Sequence, residues 1–76
     1  MSTNDLIAAA KTANLSTCII HGELHIIGRG PALISFRYNA IESGCRYLGG
    51  FNVNAHYVES TGCGVNGLDN VARFAF

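Results

Sequence analysis

The sequence predicts an α+β fold in which an N-terminal helix packs on an antiparallel sheet of four or five strands. Three observations support it: a capped run of strong helix formers starts the chain, short β-branched and aromatic segments follow, and glycine-containing turns separate them. The 76 residues are 49% apolar and only 13% charged, a composition that excludes intrinsic disorder. Their number allows one small domain, residues 1–76, without room for a second core.

Residues 2–14 predict the N-terminal helix. A polar side chain among residues 2–4 can accept a hydrogen bond from the N–H groups of the first turn. The alanine-rich run that follows has high helix propensity. We expect Asn14 to end the helix in the left-handed conformation, with Leu15 folded back on the last turn.

A β-hairpin is predicted next. Two β-prone runs, Thr17–His21 and Leu24–Gly28, surround a turn at Gly22-Glu23. Because both runs are short and rich in β-branched residues, we expect them to pair and to provide a surface for the helix.

The segment after Pro31 allows two interpretations. Apolar and polar residues alternate over Leu33–Asn39, which favours a half-buried strand. A helix from Pro31 to Ser43, stopped by Gly44, is the alternative because apolar residues also recur there at helical spacing. We favour the strand because aromatic and β-branched residues dominate the segment.

The C-terminal third predicts one more strand and one ambiguous element. After a turn at Gly49-Gly50, alternation of apolar and polar residues predicts a strand over Phe51–Val58. Residues 68–76 place apolar side chains at i, i+3, i+4 and i+7, which favours a short helix slightly over a terminal strand.

Residues 62–67 match the G-x-G-x-x-G pattern of loops that hold a dinucleotide pyrophosphate. Gly62, Gly64 and Gly67 are therefore candidate ligand-binding residues. A dinucleotide site also needs a following strand and an acidic residue about 20 positions on, which this sequence does not supply. We expect a flexible connection here rather than a phosphate site.

Cysteine and histidine residues raise the question of metal or nucleophilic chemistry. Cys18, His21 and His25 could supply part of a zinc site, which normally has four ligands in tight pairs. No recognised spacing joins Cys63 to a histidine base, and unpaired cysteines commonly pack as small apolar residues. We predict no catalytic residue, no metal and no cofactor. The other possible zinc ligands are scattered singly: Cys45, His56 and Cys63.

Charge gives little support to a nucleic-acid partner. Five basic and five acidic residues leave no net charge, so no field attracts a polyanion or an acidic membrane. The predicted element order resembles a double-stranded RNA-binding domain, but that family has lysines where residues 67–70 read Gly-Leu-Asp-Asn here. Arginines interleaved with aromatic residues can stack single-stranded bases. Nucleic-acid or nucleotide binding is therefore the alternative function.

The composition favours a non-enzymatic protein-binding module. Tyr, Phe and Arg are frequent in interface cores, and a small domain with few charges leaves apolar area exposed. In size, lack of motif and cytosolic character, the chain resembles the small α+β inhibitors of phages and mobile elements, anti-CRISPR proteins among them. That resemblance implies a larger host protein or complex as partner. The candidate contacts are Arg37, Tyr38, Arg46, Tyr47 and Tyr57.

The sequence also predicts the compartment of the protein. A polar N-terminus and three cysteines, an odd number, favour a reducing cytoplasm over secretion. No apolar run reaches the roughly 18 residues of a membrane span.

The sequence also predicts self-association. A small core without disulfides is marginally stable, and residues 17–28 and 51–58 lack the lysines and prolines that protect sheet edges. We expect a homodimer or an obligate complex.

Overall fold

The computed structural model describes residues 2–65 and 67–75. Four of its elements are strands in one antiparallel sheet, with an N-terminal helix beside them, which confirms the predicted α+β class. The elements in chain order are α1 (Thr3–Thr12), β1 (Ser16–Ile20), β2 (Glu23–Gly28), α2 (Gly30–Glu42), β3 (Tyr47–Asn52), α3 (Ala55–Thr61) and β4 (Asn70–Ala75). The strand order across the sheet is β1-β2-β4-β3.

Helix α1 forms where the sequence predicts it. The Ser2 hydroxyl accepts from the Asp5 N–H at 3.2 Å, and the Asp5 carboxylate accepts from the Ser2 N–H at 3.3 Å. This reciprocal cap satisfies two N–H groups that the helix itself leaves free. At the other end Asn14 has φ 61°, and the Leu15 N–H donates to the Ala10 carbonyl at 2.8 Å. Both the cap and the left-handed terminator are confirmed.

The hairpin of β1 and β2 is also confirmed, with its turn one residue earlier than predicted. The two loop residues are His21 and Gly22, and both have positive φ (51° and 77°). Two consecutive left-handed residues match the right-handed twist of the flanking strands. The pairing therefore closes at Ile20 and Glu23.

The predicted strand over Leu33–Asn39 is wrong, because this segment lies in helix α2. Proline fits the first turn of a helix, and Gly44 has φ 91° just beyond the last turn. One face of α2 is buried, through Leu33, Phe36 and Ala40. Burial of that face against the sheet overrides the β propensity of the segment.

The predicted strand over Phe51–Val58 is also wrong beyond its second residue. β3 ends at Asn52, and α3 begins after Asn54, whose side chain accepts from the Tyr57 N–H at 2.8 Å. This cap favours a helix over continued alternation. The Gly49-Gly50 pair, predicted as a turn, lies inside β3.

The C-terminal segment is strand β4, so the preference for a helix over residues 68–76 is wrong. β4 pairs with β2 on one side and β3 on the other. Its backbone is thus hydrogen-bonded on both edges, and the Phe74 side chain is fully buried. Residue 76, the last of this predicted element, lies outside the described residues.

The sheet separates two apolar clusters. Helices α1 and α2 cover one face, and α3 with the start of its loop covers part of the other. The cluster under α1 and α2 contains Leu6, Ala10, Leu15, Leu24, Ile26, Leu33, Phe36, Ala40, Ala72 and Phe74. The cluster under α3 contains Ile27, Val53, Tyr57 and Val71.

Candidate functional site

The structure brings three of the five predicted partner-binding residues together. Arg37 lies between two tyrosine rings: its Cζ is 5.4 Å from the ring centroid of Tyr38 and 5.6 Å from that of Tyr47. Arg46 is exposed and lines a separate depression beside the start of α1. Tyr57 is buried under the opposite face of the sheet, so it does not share this site.

Exposed apolar side chains surround this arginine. On α2 the spacing of Ile34, Arg37 and Ile41 places them on one side of the helix, next to its buried face. Ile34 is 49% exposed, Tyr38 59% and Ile41 42%. We call the set the α2–β3 surface. Its residues are Ile34, Arg37, Tyr38 and Ile41 of α2 and Tyr47 of β3.

A groove of about 310 Å³ runs between α2 and β3 within this surface. Gly50 is one of the residues that line it. A Cβ at this position would overlap the carbonyl oxygen of Val71 and lie 2.9 Å from the Tyr47 Oη. Leu33, Ile34 and Arg37 line the groove on the α2 side. On the sheet side its lining includes Tyr47, Asn52, Asn70 and Ala72.

Arg37 brings a charge to the groove that no neighbour balances. Its side chain is half-buried, and among residues 2–65 and 67–75 it has no hydrogen-bond or ion-pair partner. The ion pairs that the structure describes join Arg29 to Asp69 and Arg73 to Glu23. The α2–β3 surface therefore presents one positive charge held between two aromatic rings.

Strand β3 is an edge of the sheet. Its inner side pairs with β4, and no described residue pairs with its outer side. The Val53 N–H donates inward to the Asp69 carbonyl at 3.0 Å. Since the direction of backbone groups alternates along an antiparallel strand, the N–H and C=O groups of Gly50 and Asn52 point outward, along the groove side of the edge.

Sequence reasoning missed the apolar part of this surface. Ile34 lies in the segment that the sequence predicts as a strand, and that prediction does not distinguish an exposed helix face. The signal was present in the i, i+4 and i+7 spacing of Ile34, Tyr38 and Ile41. It could only be interpreted once the buried face of α2 was known.

The α3 side of the sheet holds a buried polar network. His25, only 5% exposed, has its Nε2 3.2 Å from the Glu23 Oε1 and its Nδ1 2.9 Å from the Tyr57 Oη. A carboxylate can only accept, so the Nε2–H donates to it, and in the neutral imidazole Nδ1 accepts from the tyrosine hydroxyl. The Tyr57 ring stacks on the imidazole at a centroid distance of 5.9 Å. Phe51 packs edge-on against both rings.

Arg73 extends this network to the edge strand. It lies opposite His25 in β2 and Gly49 in β3, and its Nη2 would be 3.4 Å from a Cβ at Gly49. Its Nη2 donates to the Leu48 carbonyl at 2.7 Å, and its Nη1 lies 3.4 Å from Glu23 Oε1. Its Nε is buried without a hydrogen-bond partner in the described chain. The network thus ties β2, β4 and β3 to α3.

Two pKa shifts follow from this packing. The hydrogen bond from His25 lowers the pKa of Glu23, and the charge of Arg73 acts in the same direction. Burial raises the pKa of Tyr57 to about 12, helped by the nearby Cys63 and Cys18. Glu23 is therefore ionised and Tyr57 protonated at neutral pH, as a structural hydrogen-bond network requires.

Two of the three free cysteines lie beside the network. Cys18 and Cys63 are half-buried and pack against the cluster under α3. Burial, together with the neighbouring Cys63, raises the pKa of Cys18 to about 11. In the described part of the chain, no three His, Cys, Asp or Glu side chains are grouped so as to hold a metal ion.

The three candidate glycines have backbone roles. Gly62, Gly64 and Gly67 have φ of 71°, 80° and 74°, a region that side chains disfavour. Gly62 is the C-cap of α3, and the segment leads into strand β4 rather than into a helix. The Asp69 carboxylate, which also pairs with Arg29, accepts from the Val65 N–H at 2.7 Å, so a backbone donor of this segment already has a partner.

Comparison with known proteins gives no relative. The chain matches no protein-family model, and neither a curated protein nor a solved structure matches it significantly. None of the described helices is long and apolar enough to cross a membrane.

Proposed function

We propose that this protein is a binding module for another protein, and that the α2–β3 surface holds the partner. The groove between α2 and an edge strand, with Arg37 in its wall, is the observation that supports this most. Exposed Ile34, Tyr38 and Ile41 flank the groove, and such apolar, tyrosine- and arginine-rich areas are typical of interface centres. Buried aromatic and arginine side chains also dominate binding energies.

The role within this proposal is that of an inhibitor or adaptor, as the resemblance to small phage inhibitors implies. The partner is a larger protein or complex, and the chain contributes a surface rather than a reaction. We place its action in the cytoplasm, where the three free thiols would stay reduced.

One observation favours a second function. Arg37 between the rings of Tyr38 and Tyr47 is also an arrangement on which single-stranded bases could stack. The zero net charge opposes it. A gel shift with short single-stranded oligonucleotides that weakens steeply with salt would support this second function over the first.

A matched pair of isoleucine substitutions tests the proposal. Ile34 on the α2–β3 surface is 49% exposed, and Ile19 on β1, the opposite edge of the sheet, is 59% exposed. In affinity purification from the native cells, we expect a stoichiometric partner to be retained by the wild type and by Ile19→Ser and lost from Ile34→Ser. Equal retention by both variants, or no stoichiometric partner at all, contradicts the proposal.

A further inference from the structure

We infer that the partner docks as an extended, acidic segment that adds a strand to the outer edge of β3. In this arrangement an apolar side chain of the segment enters the groove and a carboxylate of the segment pairs with Arg37. The inference rests on the proposed function and names the chemistry of the partner.

The backbone of β3 provides the first argument. Gly50 and Asn52 direct N–H and C=O groups away from β4, with no described residue on that side. Free edge groups of this kind are a template for another strand. An extended peptide bound in this way gains affinity from the main chain and specificity from pockets for its alternate side chains.

The groove provides the second argument. It lies directly beside this edge, between β3 and α2, so a strand added there would place every second side chain against it. Its volume of about 310 Å³ suits a side chain and not a folded element. Leu33 and Ile34 line it on the α2 side, and Asn52 and Asn70 line it on the sheet side, so a side chain with an apolar body can enter it against α2.

Charge decides between a foreign segment and a second copy of this chain. Arg37 is half-buried and unpaired among the described residues, whereas the nearby ion pairs of Glu23 and Asp69 are made with other arginines. Pairing β3 with itself about a two-fold axis would bring both Arg37 side chains to one side of the joined sheet, where like charges repel. A segment with a carboxylate would instead form a charge-assisted, bidentate hydrogen bond.

Two pairs of variants test this inference, with displayed random peptides and the co-purified partner as probes. Asn52→Pro removes an outward N–H that the free fold does not use, and Asn52→Ala keeps it. Arg37→Met removes the charge, and Arg37→Lys keeps it. We expect selected peptides to share an apolar residue near Asp or Glu. The affinity for these peptides and for the partner should fall by about tenfold or more in Asn52→Pro and Arg37→Met. It should fall much less in the controls Asn52→Ala and Arg37→Lys.

Circular dichroism checks that Asn52→Pro folds. N-methylation of alternate peptide residues tests the same hydrogen bonds without altering the protein, and only one of the two alternating sets should abolish binding. Unchanged affinity with both N-methylated sets overturns strand addition. Unchanged affinity in Arg37→Met overturns the carboxylate. If either occurs while Ile34→Ser still loses the partner, the proposed function stands and this inference is wrong. Binding of oligonucleotides instead of peptides overturns both.

Discussion

At the scale of single residues, neighbouring groups stabilise the ionised form of Glu23. The His25 hydrogen bond lowers its pKa below the ordinary value of 4.5, so its contribution to stability is present above that value and is lost as pH falls through the folded-state pKa. We expect Glu23→Gln to unfold at lower urea concentration near neutral pH and to lose less stability on acidification. Glu59→Gln, an exposed change on α3, is the control. An unchanged acid profile in Glu23→Gln would contradict the network.

Cys18 is a second residue whose pKa is shifted by its surroundings. Because burial raises its pKa to about 11 from 9.0, a smaller fraction of Cys18 is thiolate at mildly alkaline pH than of an exposed cysteine. We expect alkylation of Cys18 in the folded protein to be about ten- to a hundredfold slower than in a short peptide. Peptide mapping by mass spectrometry measures this rate. The difference should vanish in concentrated urea, and a peptide-like rate in the folded state would contradict the burial.

At the scale of elements, local signals predicted part of the fold. The Ser2 cap, the Asn14 terminator and the His21-Gly22 turn act within a few residues of sequence, so α1 and the hairpin could be predicted. Helix α2 and strand β4 could not, because their patterns suit either structure and the choice depends on which face meets the sheet. The proposed site follows the same rule: residue type alone predicts Arg37, Tyr38 and Tyr47 as contacts, whereas the groove depends on α2 being a helix.

Gly50 links the stability of β3 to the groove. A methyl group there would overlap the Val71 carbonyl and crowd the Tyr47 hydroxyl, so β3 must shift away from β4 to accept it. We expect Gly50→Ala to lower the free energy of unfolding by about 1–3 kcal/mol. Asn52→Ala, at the exposed end of the same strand, should change it by less than about 0.5 kcal/mol. Urea denaturation of both variants measures the difference, and equal stability would contradict the close contact.

At the scale of the whole molecule, the homodimer or obligate complex predicted from the sequence stays a prediction, and we propose β1 as the edge where a homodimer would form. β1 is the second edge of the sheet, carries no charged residue and exposes Ile19. Self-pairing there brings no like charges together and leaves β3 free. We expect the wild type to sediment as a dimer at micromolar concentration and Ile19→Lys as an 8.1 kDa monomer. A monomeric wild type, stable without a partner, would contradict this.

The central claim is that the α2–β3 surface is where a partner binds. Amide hydrogen exchange of the complex with the co-purified partner tests it most directly, because it reports on every backbone N–H at once. The account predicts that the Gly50 and Asn52 amides exchange rapidly in the free protein and become protected in the complex, together with the β3-facing side of α2. Protection confined to α3 or β1, with Gly50 and Asn52 unchanged, would contradict it.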